Sequence, residues 1–420
     1  MQSHALVKPT KSGLISHPLR FQKVNKFMNT LESHALNCGA KIDRPYIYTQ
    51  FFPLPVEKYI TFHSDTQGTA KNYDYLQDTI NIITPALEKL SIRIVQLGSP
   101  KDRNFSGCIN LKGATNPNQT AYIIQNSILH FGSDGFAIHV AAGFDVPLVG
   151  LYVNNFAECE KPYFGSPEKQ IILTSYNRLG TKKPSFANDE NPKSINLIKP
   201  EEIAAAILKL LGIKHEIPFD SIFFGKKYSN FMIQEVIPNH KTILFNPELL
   251  VEIRADKEYD EESFFFQLAN YKKAIVILDK PVNLNIIRQC KPNIQMIAFK
   301  ITETDQKAFI AELEATGIKM VLISDLPAEQ VDALKIKYYE FGIINKVDEV
   351  SKEKVEELKK DLGKLYYRSA KLTASNGKLY ASQAAVLKDV PVHQLDEYQE
   401  AIDVPEFWKE LEFCTVVKKK

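Results

Sequence analysis

The chain has 420 residues, 44% hydrophobic and 24% charged, which is enough for two or three domains that each bury a core. Its 52 basic and 50 acidic residues leave a net charge of +2, so there is no general basic signal for nucleic acid. The five cysteines, at positions 38, 108, 159, 290 and 414, are odd in number and lack metal-ligand spacing, which fits a reduced, cytoplasmic compartment.

The opening stretch MQSHALVKPTKSG lacks the apolar core of a signal peptide, and no run of about 18 apolar residues predicts a membrane span. Residues 1–57 contain one predicted helix, RFQKVNKFMNTLESHALN, and then a Pro-rich, extended lead-in, RPYIYTQFFPLPVEK. From 58 to 214 strands and helices alternate. KYITFHS, IRIVQLGS, ILHFGS and PLVGLYV read as strands. YDYLQDTINIITPALEKL, NQTAYIIQNS, FAIHVAAGFD and KPEEIAAAILKLLG read as helices, the last with Pro200 near its start and Gly212 past its end.

Residues 215–240 read as a connection. From 241 to 350 the alternation resumes, with strands KTILFNPE, KAIVILD, IQMIAFKI, KMVLIS and GIINKV, and helices that include EESFFFQLANY and TDQKAFIAELEATG. Residues 351–420 add a charged helix, SKEKVEELKKDLGKL, and a hairpin, KLTASNGKLYAS, with Asn376-Gly377 as its turn. The pattern predicts an α/β protein with two Rossmann-like, doubly wound domains facing each other across a cleft.

Ligands in such folds bind beyond the carboxyl ends of the strands. Four strand ends between 58 and 214 carry small polar residues. The loop after KYITFH holds Ser64, Thr66, Gly68 and Lys71. IRIVQL ends at Gly98, and Gly113 and Thr115 precede the next helix. ILHFGSDGFAIHVAAG places Ser133, Asp134 and Gly135 before a helix that opens at Phe136, with His139 one turn in. Free N–H groups and the positive dipole end of that helix suit a diphosphate, and Lys71 is a natural partner for phosphate oxygens. Alternatively, Asp134 only caps the helix.

In order and spacing, FHSDTQGTAK, IVQLG, LKGAT and SDGFAIHVAAGFDVPLVGLY resemble glycosyltransferase family nine, the ADP-heptose:lipopolysaccharide heptosyltransferases and their relatives. That family closes its nucleotide-sugar domain with Asp-Ser/Thr-Gly-x-x-His-x-Ala-Ala. This chain keeps the Asp134-to-His139 spacing but reads Asp134-Gly135-Phe136, with the glycine one place early. It also places the second α/β domain after the nucleotide domain, where the family has the acceptor domain first.

The resemblance implies a two-domain transferase of GT-B type, with a nucleotide-diphosphate sugar as donor substrate and no cofactor. No Asp-x-Asp sequence is present, so a metal held by that device is not indicated. Inverting transfer needs a base for the acceptor hydroxyl; Asp65, Glu252 and Asp256 are candidates, the last two placed after the first strand of the second domain. Arg254 is a candidate contact for an anionic acceptor or donor. The acceptor is open: glycan, lipid, protein or nucleic acid. Two other readings are a binding module that kept the pocket without turnover, and a structural protein on the same frame.

Overall fold

The computed structural model describes residues 28–178, 182–228, 232–302, 306–342, 344–346, 350–392 and 397–420. The chain divides into two units, Met1–Asp220 and Ser221–Lys420. The predicted first helix begins at Arg20, and its part up to residue 27 lies outside the described residues. The observed helix spans Thr30–Cys38 and starts in a capping box: the Asn29 side chain accepts from the Leu31 N–H, and Glu32 accepts from the Asn29 N–H.

The first unit is built on six strands: β1 (Tyr59–His63), β2 (Arg93–Leu97), β3 (Ile109–Asn110), β4 (His130–Ser133), β5 (Leu148–Tyr152) and β6 (Gln170–Thr174). They pair in parallel throughout, in the order β3-β2-β1-β4-β5-β6. This is the order of doubly wound dinucleotide-binding folds, and it reverses between β1 and β4. The helices Leu76–Glu88, Pro117–Gln125, Phe136–Gly143 and Pro200–Leu210 follow strands, as a parallel sheet requires. β1, β4 and β5 are buried along their whole length, the mark of a sheet covered on both faces. The Phe136–Gly143 helix lies close against its surroundings where Ala137, Ala141, Ala142 and Gly143 are small. A Cβ on Gly143 would fall 2.5 Å from Ile47 Cδ1.

The second unit carries β7 (Phe219–Phe224, entering from the first), β8 (Ile233–Val236), β9 (Leu250–Arg254), β10 (Lys273–Leu278), β11 (Ile294–Lys300), β12 (Met320–Ser324), β13 (Ile344–Lys346), β14 (Leu365–Ser369), β15 (Lys371–Ser375), β16 (Lys378–Tyr380), β17 (Gln399–Glu400) and β18 (Cys414–Lys419). Eight of them form one sheet, β13-β12-β11-β10-β9-β8-β15-β16, parallel except for the β15–β16 hairpin. The rest make a four-stranded sheet, β17-β14-β18-β7. The Asn376-Gly377 turn links β15 to β16, with φ of 48° and 74°. Both values are positive, as a tight two-residue hairpin turn demands. β15 then lies parallel to β8, so the hairpin belongs to the large sheet.

Burial alternates along β9 and β10. Val251, Ile253, Ala274, Val276 and Leu278 form a core with Phe264, Leu268 and Ile287 of the intervening helices. The opposite face, with Glu252, Arg254, Ile275 and Ile277, is half-buried.

Two readings are corrected: residues 215–240 are no bare connection, since they carry β7 and β8, the latter paired between β9 and β15, and one predicted strand is absent. KTILFNPE, residues 241–248, forms no strand; the strand is β9, beginning at Leu250. The Gln267 side chain takes up the His240 carbonyl at 2.7 Å, and the Phe245 N–H donates to the Tyr271 hydroxyl at 3.3 Å. Side chains thus satisfy backbone groups that a ladder would otherwise use. Among the described residues no helix is long and apolar enough to cross a membrane, and all five cysteines are free.

Candidate functional site

Because β1 and β4 are neighbours at the reversal, their carboxyl ends lie side by side. His63 ends β1, followed by Ser64 and Asp65; Ser133 ends β4, followed by Asp134 and Gly135. Lys71, from the loop after β1, places its Nζ 2.5 Å from Asp134 Oδ2. His139 Nε2 lies 3.5 Å from Asp134 Oδ1, and the Ser133 hydroxyl donates to the Lys71 carbonyl at 2.5 Å. Four predicted site residues, Lys71, Ser133, Asp134 and His139, therefore meet at one point.

The Asp134 side chain makes no cap bond. The Phe136–Gly143 helix starts after Gly135 with no side-chain cap at all. Its first N–H groups and its positive dipole end are therefore open to an anionic ligand. Burial pushes the Asp134 carboxyl up, but His139 and Lys71 outweigh it and hold it below the usual range. Phe136 is exposed at the helix start.

Asp65 is already engaged. The Arg103 backbone N–H donates to Oδ2 and its Nε to Oδ1, both at 2.8 Å, and the Ser64 hydroxyl donates to Oδ2 at 3.3 Å. Burial raises this carboxyl and Arg103 more than reverses the shift, so it stays ionised. Arg103 also donates to the Tyr73 carbonyl at 2.9 Å, tying the loops after β1 and β2 together.

Gly98, Gly113 and Thr115 form a second group, at the ends of β2 and β3. The Gly113 N–H donates to the Gly98 carbonyl at 2.8 Å, and Thr115 Oγ1 lies 2.8 Å from Thr120 Oγ1. A Cβ at Gly113, where φ is +69°, would come within 2.4 Å of Pro100 Cγ. That glycine is required by loop packing.

Glu252 and Asp256 belong to the second unit. Glu252 lies within β9, not after a preceding strand, and burial pushes its carboxyl up. Asp256 is held by both Nε and Nη2 of Arg254 at 2.8 Å, and Arg254 Nη1 reaches Glu235 at 2.6 Å. Lys371 joins Glu235 at 2.8 Å and Glu410 at 3.4 Å. These residues make a buried ion network inside the unit.

Sequence reasoning missed two features. The first is a cavity of ≈540 Å³ beside the Phe136 helix, lined by Phe136, His139, Thr30, His34, Glu160 and Tyr163 among others. Glu160 is the carboxylate in its wall. It accepts from Asn155 Nδ2 at 2.5 Å and from the Thr30 hydroxyl at 3.3 Å. Burial, then the Asp134 charge, raises its pKa. No motif marks Glu160; its only sequence signal is a short polar segment, AECEK, after β5. The second is a buried histidine pair, His63 and His130, behind the polar loop. A histidine in each of two adjacent predicted strands was the available signal.

No family model and no curated protein matches the chain. Among solved structures it is similar to a family 9 glycosyl transferase from Veillonella parvula, at 18% identity and TM-score 0.30, over 37% of this chain and 46% of that one. It is similar to the E. coli ADP-heptose LPS heptosyltransferase II at 22% identity and TM-score 0.30, over 38% and 47%. A third similar structure is the iron-containing dodecameric glycosyltransferase TibC from enterotoxigenic E. coli, at 13% identity and TM-score 0.35, over 44% and 54%. The chain spans about half the length of each of these structures.

Proposed function

We propose that the chain transfers a sugar from a nucleotide-diphosphate sugar to an acceptor hydroxyl, with inversion and without a metal held by an Asp-x-Asp pair. The observation that carries this reading is the convergence of Lys71, Asp134, His139 and an uncapped helix N-terminus at the β1–β4 reversal. The diphosphate leaving group gains negative charge as the glycosidic bond breaks. A fixed ammonium and the N–H groups of the Phe136 helix oppose that charge where it develops. The motif order FHSDTQGTAK to SDGFAIHVAAG supports the same class of donor.

Glu160 is the base proposed for the acceptor hydroxyl. Its raised carboxyl lines the same cavity as His139, and a base works best with a pKa nearer the working pH. Asp65, Glu252 and Asp256 remain comparison candidates. Asp65 and Asp256 are each held by an arginine, which favours structural roles.

That engagement also supports a second reading, a module that binds the donor without turning it over. The deciding experiment incubates the protein with a panel of nucleotide sugars and acceptors in EDTA, then with Mg²⁺ or Mn²⁺. Release of nucleoside diphosphate in EDTA upholds metal-independent transfer. Binding without release under every condition replaces it with the binding module.

A further inference from the structure

His63 closes β1, and its ring runs nearly parallel to that of His130 on β4, with 5° between the planes and 5.3 Å between centroids. His63 Nδ1 lies 3.1 Å from His130 Nε2, and His130 Nδ1 lies 2.9 Å from Thr61 Oγ1. Three polar side chains are thus linked in a row across the adjacent strands. The row ends at His63 Nε2, which is buried and, among the described residues, has no hydrogen-bond partner of good geometry, although the Ser133 carbonyl lies near enough to act on the ring. A buried polar atom left unmet costs about 1–3 kcal/mol, so its vacancy calls for a partner.

The open nitrogen faces the helix start. A Cβ built on Gly135 would lie 3.5 Å from His63 Nε2. Glycine at 135 therefore leaves clear the space in front of the ring edge. With glycine at 135, only backbone stands between the buried ring edge and the helix N-terminus. Gly135 has φ 173°, extended backbone that any residue adopts, so its backbone does not require glycine.

We propose that His63 Nε2–H is a direct donor to a phosphate oxygen held at the N-terminus of the Phe136 helix, with His130 and Thr61 able to take up the matching proton arrangement. The inference rests on the donor-binding reading and adds a ligand contact to it. The proton arrangement follows from the row. If the Thr61 hydroxyl donates to His130 Nδ1, His130 Nε2–H donates to His63 Nδ1, and the remaining proton sits on His63 Nε2. The reverse arrangement leaves a bare lone pair at Nε2. An anionic oxygen selects the first. Burial keeps His63 neutral at pH 7, although the Ser133 carbonyl, Asp134 and Asp65 act in the other direction. The contact is accordingly that of a neutral donor, and Lys71 supplies the charge.

Inorganic pyrophosphate, ADP and UDP are the probes, titrated calorimetrically into the intact chain and into His63→Asn and His63→Gln. Asparagine can replace Nδ1 but does not reach the Nε2 position; glutamine does. His63→Asn is expected to weaken binding about tenfold, the scale of one hydrogen bond to a charged group, while His63→Gln stays within about threefold. In ¹⁵N-histidine NMR of the wild-type chain saturated with pyrophosphate, Nε2 should carry the proton and Nδ1 should not. This second measurement stands if a variant fails to fold. Wild-type affinity in a folded His63→Asn, or an unprotonated Nε2 in the complex, overturns the proposal while donor binding stands. Pyrophosphate bound through His63, with neither ADP nor UDP bound, upholds the contact and removes the nucleotide reading. Failure of all three probes to bind overturns both.

Discussion

Lys71 and Asp134, 63 positions apart in sequence, meet at 2.5 Å beyond the carboxyl ends of β1 and β4. Both side chains are largely shielded, at 22% and 10% exposure, so solvent screens the pair only weakly. A ligand phosphate arriving at the Phe136 helix would share Lys71 with Asp134. Lys71→Ala is expected to weaken nucleoside diphosphate binding by about 1.5–3 kcal/mol, the scale of a lost charge-assisted hydrogen bond. Calorimetric titration checks it; unchanged affinity in the folded variant removes Lys71 from the site.

Glu160→Gln tests the proposed base. A base acts mainly in the transition state, so the turnover rate should fall by about 10²–10⁴ while donor affinity holds. Single-turnover assays beside donor titrations separate the two effects. A loss confined to affinity would make Glu160 a wall of the cavity only.

Asp65→Asn is expected to behave differently. The carboxylate joins Arg103 to the end of β1, and Arg103 in turn holds the Tyr73 carbonyl. Its neutralisation should lower Tm by several degrees, roughly 1.5–3 kcal/mol for a charged hydrogen bond, with rate and donor affinity falling together. A rate loss at unchanged Tm and affinity would return Asp65 to the role of base.

The histidine pair makes the first unit acid-sensitive. Burial lowers His63 to about 4 from 6.5 and also pushes His130 well down. Unfolded histidine binds protons that the folded one refuses, so stability is full above pH 6.5 and falls as the pH drops towards 4. The shift of His63 corresponds to about 3 kcal/mol across that window. Urea melts at pH 7, 5.5 and 4 should show the loss, and His63→Gln should reduce it, leaving the part that comes from burial of His130. The groups acting on His63 are the Ser133 carbonyl, Asp134 and Asp65; the two carboxylates are held below their usual range and titrate below the window.

In the second unit, Glu235 is wholly buried between Arg254 and Lys371. Burial raises its carboxyl, and the two cations more than reverse that shift, down to about 2. Glu235→Ala should cost about 3 kcal/mol, because it removes the carboxylate that two buried cations share and leaves Arg254 with Asp256 and Lys371 with Glu410 alone. A loss under 1 kcal/mol in urea unfolding would show that water reaches them.

Local pattern was enough to read β1, β2, β4, β5 and the Phe136 helix, because each has a dense apolar run or a clear breaker beside it. β3 was missed at two residues long, and β6, QIILT, is half-buried throughout and shows no alternation. KTILFNPE has strand-like composition, yet Gln267 and Tyr271, distant in sequence, take its neighbourhood's backbone bonds. The meeting of Lys71 with Asp134 was legible from the loop and motif order. The His63–His130 row was not, since it depends on β1 lying directly beside β4, a pairing set by topology.

The bare start of the Phe136 helix couples occupancy to melting. Its first amides meet no side-chain cap, so the empty first unit holds less stability than its packing allows. A ligand that satisfies them is linked to unfolding: at a hundred times its Kd it adds about 2.7 kcal/mol to that unit. Donor should therefore move the calorimetric transition of the first unit upward, and the size of that shift reports the affinity without any assay of turnover.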